Sequence, residues 1–368
     1  MTKAAELAKM GEVLDNSQIG GRRNIIINGA MQVAQRGTST TGTGYLLDRY
    51  NINFDHVGIT TTQQSLTSGD PYNDGFRNFI RLANTSTTTN TAAYAQFKQI
   101  IEAQDIAKSG WQYTSSSSNI SISFWVRSSL AGTYYVGLRS KDTAEYIRNV
   151  GFTLLADTWT KVSTSVSGNS NLVFNDDNGA GLDVLFVPYY GTGYTGGEEV
   201  STTDWYSRSS QADAYFPNYA QNWANTSSAT FDVTGIQLEV GSQATPFEHR
   251  SFGEELALCQ RYYYHHCKGT SDHLSLGDAH NSTQADCVVH FPVTMRAAPT
   301  LDASSGTNYW LMYIGNAGRY SSGAWVIFRP MTTGATCYNS GFSSMTSGDC
   351  GRIICNDANA YMAFDAEL

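Results

Sequence analysis

The stretch "SNISISFWVRSS", residues 118–129, decides the fold. Ile120, Ile122, Phe124 and Val126 fall on one side of a two-residue repeat, and Ser121, Ser123, Trp125 and Arg127 on the other. Strand side chains alternate between two faces, whereas a helix repeats near 3.6 residues, so the pattern reads as a β-strand with one buried face. After "SLAG" (129–132) the alternation resumes in "TYYVGLRS" (133–140), with Tyr134, Val136 and Leu138 in phase. Two alternating runs across a short Gly-containing turn predict a β-hairpin.

The neighbouring segments continue the theme. "DTWTKVSTSVSG" (157–168) reads as another strand, and "GLDVLFVPYY" (181–190) is a nearly continuous apolar run, as in a strand covered on both faces. In "ATFDVTGIQLEVG" (229–241) Phe231 and Val233 are in phase, then Ile236, Leu238 and Val240; the slip at Thr234-Gly235 predicts a bulge. Strands separated by Gly, Ser and Asn turns predict an all-β fold, a jelly-roll β-sandwich over residues 22–250.

The composition fits that class. Only 15% of the 368 residues are charged, while there are 34 Gly and 22 Tyr. Ser, Thr, Asn and Tyr fill positions where a helical protein carries Lys and Glu. A net charge of −9 argues against sequence-independent nucleic-acid binding. No apolar run reaches the roughly 18 residues of a membrane span, and the N-terminus carries charges where a signal peptide has its apolar core. A protein kept in the cytosol, or released otherwise than by secretion, is expected.

All six cysteines lie at or beyond Cys259, which marks a domain boundary near residue 250. There "SFGEELALCQRYYYHHC" (251–267) breaks the strand pattern with a short helix, Ser251 as its N-cap and Glu254 and Glu255 in its first turn. Residues 251–368 are then expected to form a second, smaller β domain from "QADCVVHFPVTM", "NYWLMYIG", "GAWVIFRP" and "GRIICNDANAYMAFDAEL", the chain ending inside a sheet. Without an oxidising compartment, the cysteines read as buried free thiols.

Chemical motifs are sparse. Gly191, Gly193 and Gly196 have G-x-G-x-x-G spacing, but polar, turn-like sequence follows where a dinucleotide site needs a helix, so the segment reads as a surface loop. Asn175, Asp176, Asp177, Asn178 and Asp183 offer oxygens for Ca²⁺ but lack the closing Glu of an EF-hand loop, and an Asx-rich turn accounts for them. His265, His266 and Cys267 are adjacent, so in a strand they face opposite sides, and a metal would need distant partners such as His290. No nucleophile elbow or zincin helix is present, and neither an enzyme, a cofactor nor a resident metal is expected. Aromatic rings among Gly, Ser and Asn suit sugar faces: Trp205, Tyr206, Tyr215, Tyr219 and Trp223 in one stretch, and Trp310, Tyr313, Tyr320 and Trp325 in the second domain. Trp310, Tyr320 and Trp325 are the expected glycan-stacking residues.

The chain opens differently. Residues 3–18 place Leu7, Met10, Leu14 and Ser17 at 3-4-3 spacing before Gly20-Gly21, a short amphipathic helix over 1–21. A helix of about 16 residues is marginal alone, so Leu7, Met10 and Leu14 are expected to pack on copies of themselves or on another protein.

The blocks "GRRNIIINGAMQVAQRGTS" (21–39), "LLDRYNI" (46–52), "GIQLEVGSQATPFEHRSFGEELALCQRYYYH" (235–265), "FPVTMRAAPTL" (291–301) and "FDAEL" (364–368) resemble tail-fibre-type structural proteins of marine bacteriophages. The resemblance implies a virion protein, assembled in the host cytoplasm and released by lysis. It also implies a homotrimer and a central region similar to carbohydrate-binding jelly rolls, and it carries no catalytic residues. It sets the expectation of a fibre that attaches to tail or capsid proteins by its N-terminal helix and recognises host-surface polysaccharide with the distal domain 251–368. A purely structural decoration or bridging protein is the alternative. The shortness of the segment before Arg22 favours a short fibre, a tip or a capsid-attached decoration.

Overall fold

A computed structural model describes residues 23–368 except 56–57, 143–144, 197–199 and 209–214. The expected N-terminal helix, with Leu7, Met10 and Leu14, lies outside the described residues. The chain divides into two compact units between Ser251 and Phe252.

The first unit is built from β1 (Ser39–Thr40), β2 (Gly44–Tyr45), β3 (Tyr50–Phe54), β4 (Ile59–Ser65), β5 (Asn78–Asn84), β6 (Tyr94–Glu102), β7 (Asn119–Ser128), β8 (Gly132–Ser140), β9 (Tyr146–Leu154), β10 (Thr160–Ser167), β11 (Ala180–Tyr190), β12 (Tyr206–Ser207) and β13 (Thr230–Val240). One sheet runs β1-β4-β5-β13-β7-β10 and the other β12-β9-β8-β11-β6-β3-β2. Lettered B to I in chain order, β5 to β11 and β13 give sheets B-I-D-G and C-H-E-F. That is the double Greek key of a jelly roll.

The alternation fixes the core. Ile120, Ile122, Phe124 and Val126 of β7 are at most 1% exposed and face Tyr134, Val136 and Leu138 of β8 and Leu182, Val184 and Phe186 of β11 in one apolar cluster. The Phe124 ring meets Phe186 edge-on at 5.0 Å, a favoured aromatic geometry. The predicted β7–β8 hairpin is not formed. β7 pairs with β10 and β13, and β8 with β9 and β11, so "SLAG" carries the chain from one sheet to the other. Both strands aim their apolar faces at the same core, so alternation is identical for a hairpin and for a sandwich corner. The Ser128 hydroxyl, 2.8 Å from the Tyr134 hydroxyl and 2.9 Å from the Thr230 carbonyl, fixes that corner. The expected bulge is present: β13 shifts register against β7 between Thr234 and Gln237. Gly235 there has φ +66°, and a Cβ would sit 2.6 Å from the Phe76 ring.

The second unit starts with a helix, Phe252–Gln260, with Glu254 and Glu255 in its first turn beside the positive end of the helix dipole. Then come β14 (Tyr263–Lys268), β15 (His273–Ala279), β16 (Ala285–His290), β17 (Thr300–Ala303), β18 (Trp310–Ile314), β19 (Ala317–Ser321), β20 (Trp325–Met331), β21 (Gly334–Asn339), β22 (Cys350–Cys355) and β23 (Tyr361–Asp365). A three-stranded sheet, β14-β23-β17, and a seven-stranded one, β19-β18-β22-β15-β16-β21-β20, enclose a core around Trp310, Met312, Ile353 and Phe364. The segment read as one last strand is two, β22 and β23, in different sheets. The final strand is held centrally between β14 and β17.

None of the six cysteines forms a disulfide; Cys350 is exposed and the other five are buried. A thiol reagent should therefore modify Cys350 alone in the native protein and the other five only on unfolding. Mass spectrometry after brief labelling checks this; protection of Cys350 would contradict the exposure.

Candidate functional site

The outer face of the seven-stranded sheet of the sandwich is built by the two-residue repeat. On β6, Ala95 and Phe97 enter the core, so Gln96 and Lys98, in the opposite phase, point outward. Asn53 of β3 and Arg139 of β8 reach the same face, as does Tyr190 at the end of β11, where the register against β6 shifts between Phe186 and Tyr189. Of the described residues after β11, Tyr194, Tyr215, Phe216 and Tyr219 lie over this face on Leu185, Val187 and Tyr135. Gly137 lets Phe216 approach, since a Cβ there would lie 2.8 Å from its ring.

Between sheet and overlying segment lies a cleft of about 230 Å³ lined by Tyr94, Tyr190, Tyr194 and Tyr215 on one side and Asn53, Gln96, Lys98 and Arg139 on the other. The rings brace one another: Tyr94 lies 5.5 Å from Tyr190 and 5.9 Å from Tyr194, and Tyr190 lies 5.6 Å from Tyr215. The Arg208 guanidinium stacks 3.5 Å from the Tyr215 ring centre. Tyr190 donates to Gln96 Oε1 (2.7 Å) and Tyr94 to Asn53 Oδ1 (3.0 Å). Burial raises the pKa of both phenols, so both stay protonated donors at neutral pH. Beneath the floor, fully buried Asp183 accepts through Oδ2 from Lys98 Nζ (3.3 Å) and from Arg139 Nε (3.1 Å) and Nη2. Burial lowers the Lys98 pKa against the pull of Asp183; for Arg139, burial is outweighed by Asp183 and the pKa rises.

Two other hollows are less suited to a ligand. One of about 300 Å³ on the opposite sheet has its polar groups engaged internally: Asp74 Oδ2 receives Trp125 Nε1 and Lys161 Nζ, each at 3.1 Å, and His249 Nε2 meets the Asp74 carbonyl at 3.0 Å. One of about 600 Å³ in the second unit is walled by residues such as Leu276, Val288, Asp278 and Asp286 and contains no aromatic ring.

The expected site residues fare unevenly. Trp310 is 0% and Trp325 5% exposed, the two indoles packed edge to face at 5.7 Å inside the second unit's core. Neither can stack on a sugar, which corrects the expectation. Tyr320 is 48% exposed at the end of the sheet order, on β19, but lies outside every described hollow. Of the earlier aromatic stretch, Trp205, Tyr206 and Trp223 are buried, and only Tyr215 reaches the cleft. Gly191 and Gly193 lie in a loop against the Thr91 carbonyl, the Gly193 N–H donating to it at 2.8 Å. The oxygens of 175–183 do not converge: Gly179 N–H donates to Asp177 Oδ1 in an Asx-type turn, Asp176 pairs with Lys108, Asn175 bonds Asp142, and Asp183 serves the cleft floor. Among the described residues no three His, Cys, Asp or Glu side chains are grouped to hold a metal.

His266 is instead a satisfied neutral imidazole, with Tyr264 Oη 2.9 Å from Nδ1 and the Leu274 carbonyl 2.6 Å from Nε2. Burial holds its pKa below the ordinary 6.5. Below pH 6.5 the unfolded chain therefore binds a proton that the folded one resists. The second unit should lose stability as pH falls from 6.5 toward the folded-state value and show no dependence from this group above 6.5. Urea unfolding at two pH values, against His266→Gln, checks the sign; an unchanged slope in the variant would assign the effect elsewhere.

No protein-family model matches the sequence, and no curated protein matches it. Solved structures with a similar strand layout include a putative sugar binding protein from Bacteroides thetaiotaomicron (12% identity, 60% of this chain and 100% of that one, TM-score 0.32). Others are the CBM22-1 xylan-binding domain of Paenibacillus barcinonensis Xyn10C (10%, 60% and 96%, TM-score 0.29) and TmCBM61 in complex with β-1,4-galactotriose (9%, 60% and 99%, TM-score 0.27). At such identities and scores the likeness carries no argument about a ligand.

Proposed function

We propose that the protein is a glycan-binding component of a phage fibre or particle, and that the tyrosine cleft of the sandwich, not the second unit, is its binding site. The observation that carries this reading is the joining of four tyrosine rings with side-chain amides and cations in one open cleft. Tyr94, Tyr194 and Tyr215 are half-buried and offer flat faces to sugar C–H surfaces, Tyr190, at 6% exposure, braces Tyr94 and Tyr215, and Gln96 and Asn53 offer amides to hydroxyls. At about 230 Å³ the cleft seats a single sugar unit of a longer chain. The reading is binding without cleavage, because glycoside hydrolysis uses two carboxyl groups and the lining contains none among the described residues. The virion setting and the trimer come from the sequence resemblance, and three clefts on one particle arm would add avidity.

One observation favours the purely structural alternative. The blocks that carry the resemblance contain none of the eight cleft residues. Within the first unit they close a clasp: Glu248 accepts from the Arg23 and Asn24 N–H groups, and Arg250 donates to the Ile26 carbonyl. A glycan array probed with the full-length protein decides between them. The binding reading expects retention on host-surface polysaccharide and an affinity loss of about fivefold or more in Tyr194→Ala. No retention, with normal particle incorporation, supports the structural one.

A further inference from the structure

We infer that the cleft selects an anionic sugar, one bearing a carboxylate or a sulfate ester, whose negative group docks against Lys98 and Arg139. The inference rests on the glycan-binding reading and deepens it.

In a chain of net charge −9, this cleft is lined, among the described residues, by two cations and no carboxylate. Their shared counter-ion, Asp183, is 0% exposed on β11 and neutralises one charge; Glu145, which also acts on Arg139, is paired with Lys141 and Arg208, so a surplus of one is left toward the opening. The side chains of Lys98 and Arg139 are only 16% and 11% exposed, so water screens that surplus poorly. The hydrogen-bonding pattern agrees with the charge. The oxygens of Gln96 and Asn53 already accept from tyrosine hydroxyls, and the amide Nε2 and Nδ2 have no protein partner among the described residues. What faces an incoming ligand is thus rich in donors: an ammonium, a guanidinium and two amide NH₂ groups, beside tyrosine hydroxyls that can donate or accept. Such a set matches an oxyanion better than a neutral hydroxyl, which must donate as well as accept.

The test is calorimetry of the full chain with paired probes that differ in charge alone: oligogalacturonate against its methyl ester, and a sulfated galactan oligosaccharide against its desulfated form. One acidic member should bind at least tenfold tighter than its neutral partner, the preference shrinking as salt rises, and which pair responds assigns carboxylate or sulfate. Lys98→Gln, which leaves the Arg139–Asp183 pair in place, should reduce that preference to about threefold or less while its thermal unfolding stays within a few degrees of the parent. Equal binding of acid and neutral partners overturns the charge inference and leaves the sugar-binding reading standing. Absence of binding by all four probes, with the native fold verified by circular dichroism, overturns both.

Discussion

Trp310→Ala should destabilise the second unit by about 3–5 kcal/mol, the range for emptying a buried indole site. Trp310 is fully buried on β18, between β19 and β22, and its ring is the edge-to-face partner of Trp325. Trp325 in turn packs on Phe342 at 6.5 Å, so truncation removes one end of an aromatic chain. The Trp310 indole Nε1 meets no acceptor among the described residues, so part of the loss is offset. Trp310→Phe should for that reason cost much less than Trp310→Ala. Guanidinium unfolding resolved by hydrogen exchange of the β18 and β22 amides measures both. Tyr320→Ala on neighbouring β19, at 48% exposure, serves as a surface control and should change stability by under about 0.5 kcal/mol. If Trp310→Ala were as mild as that control, the ring would be a surface platform after all.

The burial of Trp310 had a legible signal. Trp310 lies in "WLMYI", an unbroken apolar run in which Trp310, Leu311 and Met312 are all buried, the pattern of a strand covered on both faces. Gly and Asn nearby suggest exposed rings, but the apolar run outweighs them. The strands of the first unit followed from two-residue phase, as in Ile120 and Ile122, because a sandwich has one wet and one dry side per sheet. The bulge at Gly235 followed from its slip. Sheet membership was not legible, since strands of both sheets present the same alternation to one shared core. The cleft was not legible for a related reason. Asn53, Gln96, Lys98, Arg139 and Tyr190 come from four strands, and only the order β8-β11-β6-β3 sets them side by side. The available hint was "YAQFKQII", where Gln96 and Lys98 mark the outward positions of an otherwise apolar strand.

Asp183→Ala should cost the sandwich about 3–5 kcal/mol, the range for removing one member of a buried ion cluster. The residue stands directly opposite Arg139 on β8, with Lys98 reaching it from β6, so it ties three adjacent strands together through side chains. Without it two cations with little access to water face each other, and that repulsion, more than the lost hydrogen bonds, sets the size of the effect. A comparison isolates the cause. Asp232, also fully buried, holds Arg81 and Arg127 by four hydrogen bonds of 2.7–3.0 Å, yet those guanidinium side chains are 29% and 26% exposed. Water can take them over when the carboxylate is gone, so Asp232→Ala should be the milder change despite losing more hydrogen bonds. Adding Lys98→Met to Asp183→Ala should recover a substantial part of the loss, since it removes one of the two stranded charges. Urea denaturation of the four proteins, read as a double-mutant cycle at Lys98 and Asp183, gives the coupling directly. Strict additivity at these two positions would mean that charge is not what Asp183 contributes, and the electropositive character assigned to the cleft would lose its structural basis.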